Sequence, residues 1–169
     1  MQGLNLEEVD FLVIEDNAFM RSLIKTVLRT LRVGVIKEAV DGADALKLMK
    51  SGFSPDIILL DWEMPALDGI EFTKILRGAS DSQNQFAPVI MVSSYSDLNH
   101  VMQARDSGVN EFLAKPVSAK ELYRRIYEVI SHPRSFVKAK TYTGPCRRRK
   151  FIDELPYEDR RHHDNQQPE

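Results

Sequence analysis

The chain has 169 residues, of which 43% are apolar and 28% are charged, and its net charge at pH 7 is −2, as expected for one globular domain with or without an appendage. The single cysteine, Cys146, excludes an intramolecular disulfide and a metal site built from cysteines. No apolar run has the length of a membrane span, and the N-terminal stretch MQGLNLEEVD does not resemble a signal peptide. We therefore expect a cytoplasmic protein without membrane contacts.

The charge is distributed unevenly along the chain. Residues 1–131 contain 14 basic and 19 acidic residues, whereas residues 132–169 contain 9 basic and 6 acidic residues. A change of this kind indicates a boundary. We predict an N-terminal extension over residues 1–8, one folded domain over residues 9–131 and a C-terminal tail over the remainder.

Five short apolar runs, spaced roughly twenty residues apart, predict strands buried on both faces. They are Asp10–Ile14, Gly34–Glu38, Ile57–Leu60, Val89–Ser93 and Asn110–Ala114. Segments with the apolar spacing of amphipathic helices separate and follow these runs, and four residues of the type that caps helices precede such segments. They are Asn17, Asp41, Asp97 and Ser118. The alternation predicts an α/β fold of the (βα)5 type, a doubly wound five-stranded parallel sheet with helices on both faces.

Polar residues follow four of the predicted strands at their carboxyl ends, where open α/β sheets bind ligands. They are Glu15 and Asp16, Asp61, Ser93 and Ser94, and Lys115. Carboxylates held close together repel each other, and Mg²⁺ relieves this repulsion because it prefers oxygen ligands. An ammonium and a hydroxyl group at the same edge suit a phosphoryl group, and a carboxylate can accept one covalently.

The sequence resembles the receiver domain of bacterial two-component response regulators, of the kind found in chemotaxis regulators. Five motifs over about residues 9–131 show the resemblance: VIEDN (13–17), EAVDGADAL (38–46), DIILLDWEMPALDGIEF (56–72), PVIMVSS (88–94) and GVNEFLAKP (108–116). The resemblance implies a flavodoxin-like sheet with strand order 2-1-3-4-5. It also implies a protein that is not an enzyme but assists its own phosphorylation and dephosphorylation.

The resemblance implies a role for each residue at the carboxyl edge. Asp61 would accept the phosphoryl group, and Lys115 would pair with that group. Mg²⁺ would be the cofactor, and its ligands would be Glu15, Asp16, Asp61 and the backbone carbonyl of Glu63. Backbone groups of Trp62, Glu63 and Ser94 would contact the phosphoryl oxygens. The Lys115–Pro116 peptide would be cis, which is uncommon outside X–Pro bonds.

Two further residues would form the switch. Ser93 would bond to the phosphoryl group and move, and the rotamer of Phe112 would follow. The chain departs from the commonest family pattern because it has Glu15 in place of Asp, Ser93 in place of Thr, and Phe112 without the hydroxyl of Tyr. Trp62, which we expect to be partly exposed, is a natural fluorescence reporter beside the acceptor.

The resemblance also implies partners. A sensor histidine kinase or a histidine phosphotransfer protein would supply the phosphoryl group. A downstream protein or a second copy of the chain would bind the face formed by the fourth helix, the fifth strand and the fifth helix. No recognisable output domain follows this face, so we predict a stand-alone receiver.

The tail over residues 132–169 is rich in arginine and contains proline and glycine, and we expect irregular structure there. Its apolar residues leave open that it docks on the receiver or on a partner. Its arginines permit an alternative function, direct binding of nucleic acid, which we consider the less favoured one. The candidate residues are Arg147, Arg148, Arg149, Arg160 and Arg161.

Overall fold

The computed structural model describes residues 4–79 and 83–147. Its main sheet has five parallel strands in the order β2-β1-β3-β4-β5, which confirms the predicted fold and strand order. The strands are β1 (Phe11–Ile14), β2 (Ile36–Ala39), β3 (Ile57–Asp61), β4 (Val89–Ser93) and β5 (Glu111–Ala114). Their bounds agree with the predicted runs to within two residues.

Five α-helices alternate with these strands and cover both faces of the sheet. They are α1 (Ala18–Thr30), α2 (Gly42–Lys50), α3 (Gly69–Gly78), α4 (Leu98–Ser107) and α5 (Ala119–Ser131). Residues of α2, α3 and α4 pack in one apolar cluster, and residues of α1 and α5 pack in the other. Within β1, Leu12 belongs to the first cluster and Val13 to the second, because successive strand residues point to opposite faces. This double burial explains why the strand is apolar throughout.

The four predicted helix caps are all present. The side chains of Asn17, Asp41, Asp97 and Ser118 each accept a hydrogen bond from a backbone amide in the first turn of their helices. A fifth N-cap, at Asp68 of α3, has the reciprocal bond from its backbone amide to Glu71. Such caps satisfy amides that have no partner within the helix, and each adds about 1 kcal/mol of stability.

Residues 136–145 form a β-hairpin, so the expectation of irregular structure after α5 is wrong for this part of the tail. Strands β6 (Phe136–Ala139) and β7 (Tyr142–Pro145) pair antiparallel. The backbones of Gly144 and Gly108 approach so closely that a Cβ atom on Gly144 would lie 2.8 Å from the Gly108 Cα. The hairpin therefore packs directly on the turn between α4 and β5.

A buried arginine holds the loops beneath this hairpin. Arg77 is 2% exposed and donates hydrogen bonds to the carbonyls of Gln85, Ala87 and Gly108 and to the side chain of Asn110. Burial lowers the pKa of Arg77 to about 10, so it remains charged at neutral pH. These bonds compensate the cost of burying the guanidinium, since a buried charge needs partners.

Residues 148–169 lie outside the described part of the chain, and the predicted tail candidates Arg148, Arg149, Arg160 and Arg161 lie there with them. The division of the chain at residue 131 stays a prediction, although α5 does end at Ser131. Within residues 4–79 and 83–147, none of the helices combines the length and the apolar character that crossing a bilayer requires.

Candidate functional site

Three carboxylates meet at the carboxyl edge of the sheet, as the sequence predicts. Glu15 and Asp16 follow β1 and Asp61 ends β3; the parallel register pairs Ile14 with Leu60, so the two strand ends lie side by side. One oxygen of each carboxylate lies within 4.8 Å of an oxygen of the other two. Glu15 and Asp61 are buried, whereas Asp16 is exposed. The cluster of three carboxylates is thus open to solvent on the side of Asp16.

Lys115 lies between the two buried carboxylates. Its Nζ is 3.0 Å from Asp61 Oδ1 and 3.2 Å from Glu15 Oε2. It reaches them because it directly follows β5, and its backbone amide donates to the Ser93 carbonyl at 2.7 Å. The Lys115–Pro116 peptide is cis, as predicted. One ammonium thus contacts two of the three carboxylates.

Burial is the main cause of the raised pKa values of the two buried carboxylates. Burial, and then the charge of Asp61, raises the pKa of Glu15 to about 7. Burial also raises the pKa of Asp61, despite its hydrogen bond from Lys115. Burial by itself would lower the pKa of Lys115, but the hydrogen bonds to Asp61 and Glu15 and the charges of these two carboxylates together outweigh burial, so the pKa is raised. A further cation at this place would favour the charged forms of the carboxylates.

The donor set fits Mg²⁺. All three side chains offer hard oxygen atoms, no sulfur or imidazole ligand is within the group, and one side is open for water or a phosphate oxygen. The buried carboxylates with raised pKa values are the observation that supports a cation here.

A glycine places the loop after β3 against the acids. A Cβ atom on Gly69 would lie 2.4 Å from the Asp61 carbonyl, and the Gly69 amide donates to the Trp62 carbonyl at 2.9 Å. The start of α3 can therefore pack on the end of β3, and the intervening loop, with Ala66 at a positive φ of 68°, turns past the cleft. Glu63, which belongs to this loop, lines the cleft together with Asp16 and Trp62.

The two predicted switch residues lie on β4 and β5. Ser93 is completely buried, and its Oγ accepts a hydrogen bond from the Tyr95 amide at 3.0 Å. Phe112 is partly buried, and its ring meets that of Trp62 edge-on with centroids 6.4 Å apart. Ser94 is exposed. Tertiary contacts thus link Phe112 to the residue that follows Asp61.

Trp62 is 7% exposed, so the expectation that it is partly exposed is wrong. Its indole is covered by three rings, those of Tyr95, His100 and Phe112. An aromatic ring enclosed in this way reports on the arrangement of its neighbours rather than on solvent. The indole therefore remains a suitable fluorescence reporter, for a different reason.

His100 is a neighbour of the site that the sequence interpretation missed. Its ring stacks on Tyr95 with centroids 4.3 Å apart and planes at 8°, and it lies 5.3 Å from Trp62. The Tyr95 hydroxyl in turn donates to Glu63 at 2.8 Å, and this bond raises the pKa of Tyr95. The position of His100 three residues after the N-cap Asp97 was the available signal, since it places the imidazole on the first turn of α4.

These side chains surround an open cleft of about 560 Å³. Its lining includes Asp16, Glu63, Tyr95 and His100. The cleft is large enough for the phosphorylated end of a small molecule or for a partner's side chain. Arg147 is not part of it: its Nε lies 3.4 Å from Asp106, and its guanidinium lies 4.0 Å from the centre of the Tyr142 ring.

A parallel five-stranded sheet with acids and a lysine at its carboxyl edge defines a signalling receiver of the flavodoxin-like class. The family model for the response regulator receiver domain matches residues 11–127. The chain therefore belongs to the response regulator receiver domain family. These receiver domains act in two-component, phosphorylation-dependent signalling and are not classical enzymes.

Individual relatives support the assignment to this family. The chain is 30% identical to the chemotaxis protein CheY-3 of Vibrio cholerae over 129 residues, which cover 76% of this chain and 97% of the relative. It is 33% identical to the chemotaxis protein CheY of Pseudomonas aeruginosa over 118 residues, covering 70% and 93%. Among solved structures, it is similar to the receiver domain of the sensor histidine kinase PA1611 of Pseudomonas aeruginosa, with a TM-score of 0.65 and 27% identity, covering 73% and 98%. That structure has a magnesium ion coordinated in the active site cleft.

Proposed function

We propose that Asp61 is the phosphoryl acceptor of a Mg²⁺-dependent response regulator. The supporting observation is the contact of one Asp61 oxygen with Lys115 at 3.0 Å, beside two further carboxylates, of which Asp16 lines an open cleft. A carboxylate so placed is held rigidly by the strand end, and the exposed Asp16 beside it marks the side from which a donor would approach. Its oxygen attacks phosphorus, and the bond from phosphorus to the donor's leaving atom breaks as the new O–P bond forms.

Glu15, Asp16, Asp61 and the Glu63 carbonyl would hold the Mg²⁺. The similar PA1611 receiver has a magnesium ion coordinated in its active site cleft. When bound, the ion supplies positive charge that stabilises the phosphoryl oxygens. Lys115 supplies a second positive charge, and the backbone amides of Glu63 and Ser94 would donate hydrogen bonds. The Trp62 amide, also predicted as a donor to the phosphoryl group, instead donates to the Val92 carbonyl at 3.0 Å within the sheet. The acidic residues thus position the group, and Lys115 compensates its charge.

Phosphorylation adds charge beside Ser93, and this change is the input of the switch. Ser93 Oγ would exchange its bond from the Tyr95 amide for a bond to the phosphoryl group. Phe112 would follow, because its ring shares a contact with Trp62. The output surface would be the face of α4, β5 and α5, whose Leu98 is 71% exposed.

The partners follow from this chemistry. A sensor histidine kinase or a histidine phosphotransfer protein would donate the phosphoryl group, and a downstream protein or a second copy of the chain would bind the output face. The chain would act on no other substrate and would only assist turnover of its own phosphoryl group. We place it in the cytoplasm, where a kinase domain can reach it and where a lone cysteine stays reduced.

The test combines phosphorylation with the single tryptophan. The full chain receives Mg²⁺ and then a small acyl phosphate, while intact mass and Trp62 fluorescence are followed. We expect one added phosphoryl group and a fluorescence change that both require Mg²⁺ and are both absent in Asp61→Asn. Asp106→Asn, an exposed aspartate on α4, is the matched control and should behave as the wild type. Undiminished phosphate uptake by Asp61→Asn would refute the assignment of the acceptor.

Lys115→Ala distinguishes uptake of the phosphoryl group from the conformational change that follows it. The acceptor is still present, so the variant should take up a phosphoryl group, although more slowly. Without the ammonium, the phosphoryl group is not held toward β5 and the fluorescence change should be lost. A normal fluorescence response in Lys115→Ala would place the coupling elsewhere.

The alternative, direct nucleic-acid binding by the tail, remains a prediction with a simple test. Replacing Arg147–Arg149 by alanine should leave no measurable difference in binding to duplex DNA or RNA if the tail has another role. Salt-dependent binding at low salt that those replacements abolish would favour the alternative.

A further inference from the structure

The loop between β1 and α1 carries two of the three acids at the carboxyl edge. Glu15 and Asp16 form this acidic loop, and Asn17 follows them as the N-cap of α1. The Glu15 amide donates to the Ala39 carbonyl at 3.2 Å, and the Asn17 amide donates to Glu15 Oε1 at 3.3 Å. Both distances are at the long end of the usual range, and neither bond involves Asp16.

Arg21 ties the acidic loop down from α1. Its Nη1 donates to the Glu15 carbonyl at 2.7 Å and to the Asp16 carbonyl at 3.3 Å. The side chain is 17% exposed, so these bonds form largely away from solvent. A charged donor makes a hydrogen bond roughly twice as strong as a neutral one does. Arg21 therefore fixes the backbone from which both carboxylates project.

The other side of the Arg21 guanidinium contacts the neighbouring strand. Its Nε lies 3.4 Å from Glu38 Oε2, and Glu38 stands in β2 opposite Val13 of β1. A guanidinium presents several donors in a fixed fork, so Nε and Nη1 can engage the carboxylate and the two carbonyls together. Arg21 thus bridges β2 and the acidic loop.

The place of Arg21 in α1 is otherwise unfavourable. It is the fourth residue of the helix, and the first turn contains no acid that would compensate its charge. A cation near the amino end of a helix is opposed by the helix dipole. Its charge would also repel a metal ion at the nearby acids. Its contribution therefore comes from its hydrogen bonds rather than from its charge, and residues that break a local rule often serve a site.

We propose that Arg21 is a positioning residue of the Mg²⁺ site, which holds Glu15 and Asp16 in the arrangement that the ion requires. This inference rests on the proposed function, because it assumes that these acids are Mg²⁺ ligands. Groups that orient metal ligands from outside contribute about 10-fold to 100-fold to metal affinity. The acidic loop is held before the ion arrives, so binding does not have to order it.

Replacement of Arg21 by methionine tests this role, because the two effects of the change have opposite signs. Loss of the positive charge by itself would tighten Mg²⁺ binding, whereas loss of the hydrogen bonds would weaken it. Methionine resembles arginine in helix propensity. Lys25→Met is the matched control: Lys25 contacts Glu38 at 2.6 Å, and within the described residues it forms no hydrogen bond or ion pair with Glu15 or Asp16.

The first measurement is a titration of the full, ¹⁵N-labelled chain with MgCl₂, followed by NMR amide shifts without a phosphodonor. We expect the Kd for Mg²⁺ to rise about 10-fold in Arg21→Met and to stay unchanged or fall in Lys25→Met. Arg21→Lys keeps the charge but lacks the fork, so it should recover only part of the affinity.

A second measurement uses no metal at all. With a chelator present, amide hydrogen exchange of residues 15–17 should be faster in Arg21→Met than in the wild type, while exchange over β4 stays the same. Lys25→Met should show neither change. Unaltered exchange of residues 15–17 in Arg21→Met would overturn the proposal, because the acidic loop would then be held without the arginine.

Phosphorylation by a small acyl phosphate separates binding of the ion from the transfer step. In Arg21→Met the Mg²⁺ concentration that gives half of the maximal rate should rise by the same factor as the Kd, and the rate at saturating Mg²⁺ should equal that of the wild type. An equal or smaller Kd in Arg21→Met would overturn the proposal and leave Asp61 as the acceptor. A wild-type chain without saturable Mg²⁺ binding would overturn it together with the proposed metal site, so the wild type distinguishes the two failures.

Discussion

The guanidinium carbon of Arg77 lies 5.0 Å from the centre of the Phe136 ring, which joins a buried charge of the receiver to the first strand of the tail hairpin. Phe136 also meets Phe86 edge-on, with centroids 5.2 Å apart. Cation–π and aromatic contacts of this kind each contribute about 0.5–2 kcal/mol. The hairpin is thus held by the receiver core as much as by its own pairing.

We predict that Phe136→Ala lowers the free energy of unfolding by about 1–3 kcal/mol, because it removes both ring contacts and leaves Arg77 less well covered. Urea unfolding of the full chain measures this effect. Val137→Ala, on the same strand but 40% exposed, is the control and should change stability by less than about 0.5 kcal/mol. Equal effects of the two replacements would mean that the hairpin does not rest on the receiver.

The close approach of Gly144 to Gly108 leads to a second prediction. A methyl group on Gly144 would lie 2.6 Å from the Tyr142 hydroxyl and 2.8 Å from the Gly108 Cα; the tyrosine can move, but the backbone cannot. Gly144→Ala should therefore cost about 1–3 kcal/mol and accelerate amide hydrogen exchange over residues 136–145. Gly78→Ala, where nothing lies within 4 Å, should leave both unchanged. Unaltered exchange in Gly144→Ala would show that the hairpin is not held at this turn.

The raised pKa of Glu15 leads to a prediction about pH. Its pKa of about 7 exceeds the ordinary value of 4.5, so the folded state binds this proton more tightly than the unfolded state does. The resulting stabilisation is complete below pH 4.5 and is lost as pH rises to about 7. With a chelator present, Glu15→Gln should therefore be more stable than the wild type by about 1–3 kcal/mol at pH 8 and by much less at pH 5.

Urea unfolding at the two pH values measures this difference. Glu8→Gln, on the exposed N-terminal loop, is the control and should show no pH-dependent gain. Added Mg²⁺ should stabilise the wild type at pH 8 and reduce the advantage of Glu15→Gln. A variant that is less stable than the wild type at pH 8 would contradict the raised pKa.

Removal of the Lys115 ammonium should lower the stability of the chain, whereas Glu15→Gln should raise it. This ammonium is the one cation that contacts both buried carboxylates in the part of the chain that the structure describes. Lys115→Ala without Mg²⁺ should destabilise the chain by about 2–4 kcal/mol at pH 8, because it leaves like charges uncompensated. The loss should shrink at pH 5, where Glu15 is protonated. Lys120→Ala, at an exposed position of α5, is the control. A loss of stability in Lys115→Ala that does not depend on pH would indicate that Lys115 has a packing role instead.

Local patterns in the sequence determined the fold and the acidic site. Continuous apolar runs identify strands buried on both faces, and a polar side chain at the start of a helix identifies its cap; both signals lie within a few residues of chain. Parallel strands place all their carboxyl ends at one edge. The meeting of Glu15, Asp61 and Lys115 therefore follows from the order of elements, and the motifs support it.

Only the tertiary structure decided the features that depend on contacts between distant residues. Trp62 is buried because Tyr95, His100 and Phe112 close over it, and no pattern around residue 62 indicates these partners. The pKa of Glu15 depends on how deeply packing buries it and on a carboxylate 46 positions away, at Asp61. Burial and long-range contact are properties of the assembled chain, which is why local sequence does not specify them.

The hairpin shows most clearly the difference between what local sequence indicates and what long-range contacts decide. The tail over residues 132–169 contains four prolines and fifteen charged residues, a composition that favours irregular structure. Strand pairing prevails because Gly144 fits against Gly108 and because Phe136 covers Arg77, which α3 supplies from about sixty residues earlier. The apolar residues of the tail indicated that it packs against another surface. The position of that surface on the receiver was decided by the fold.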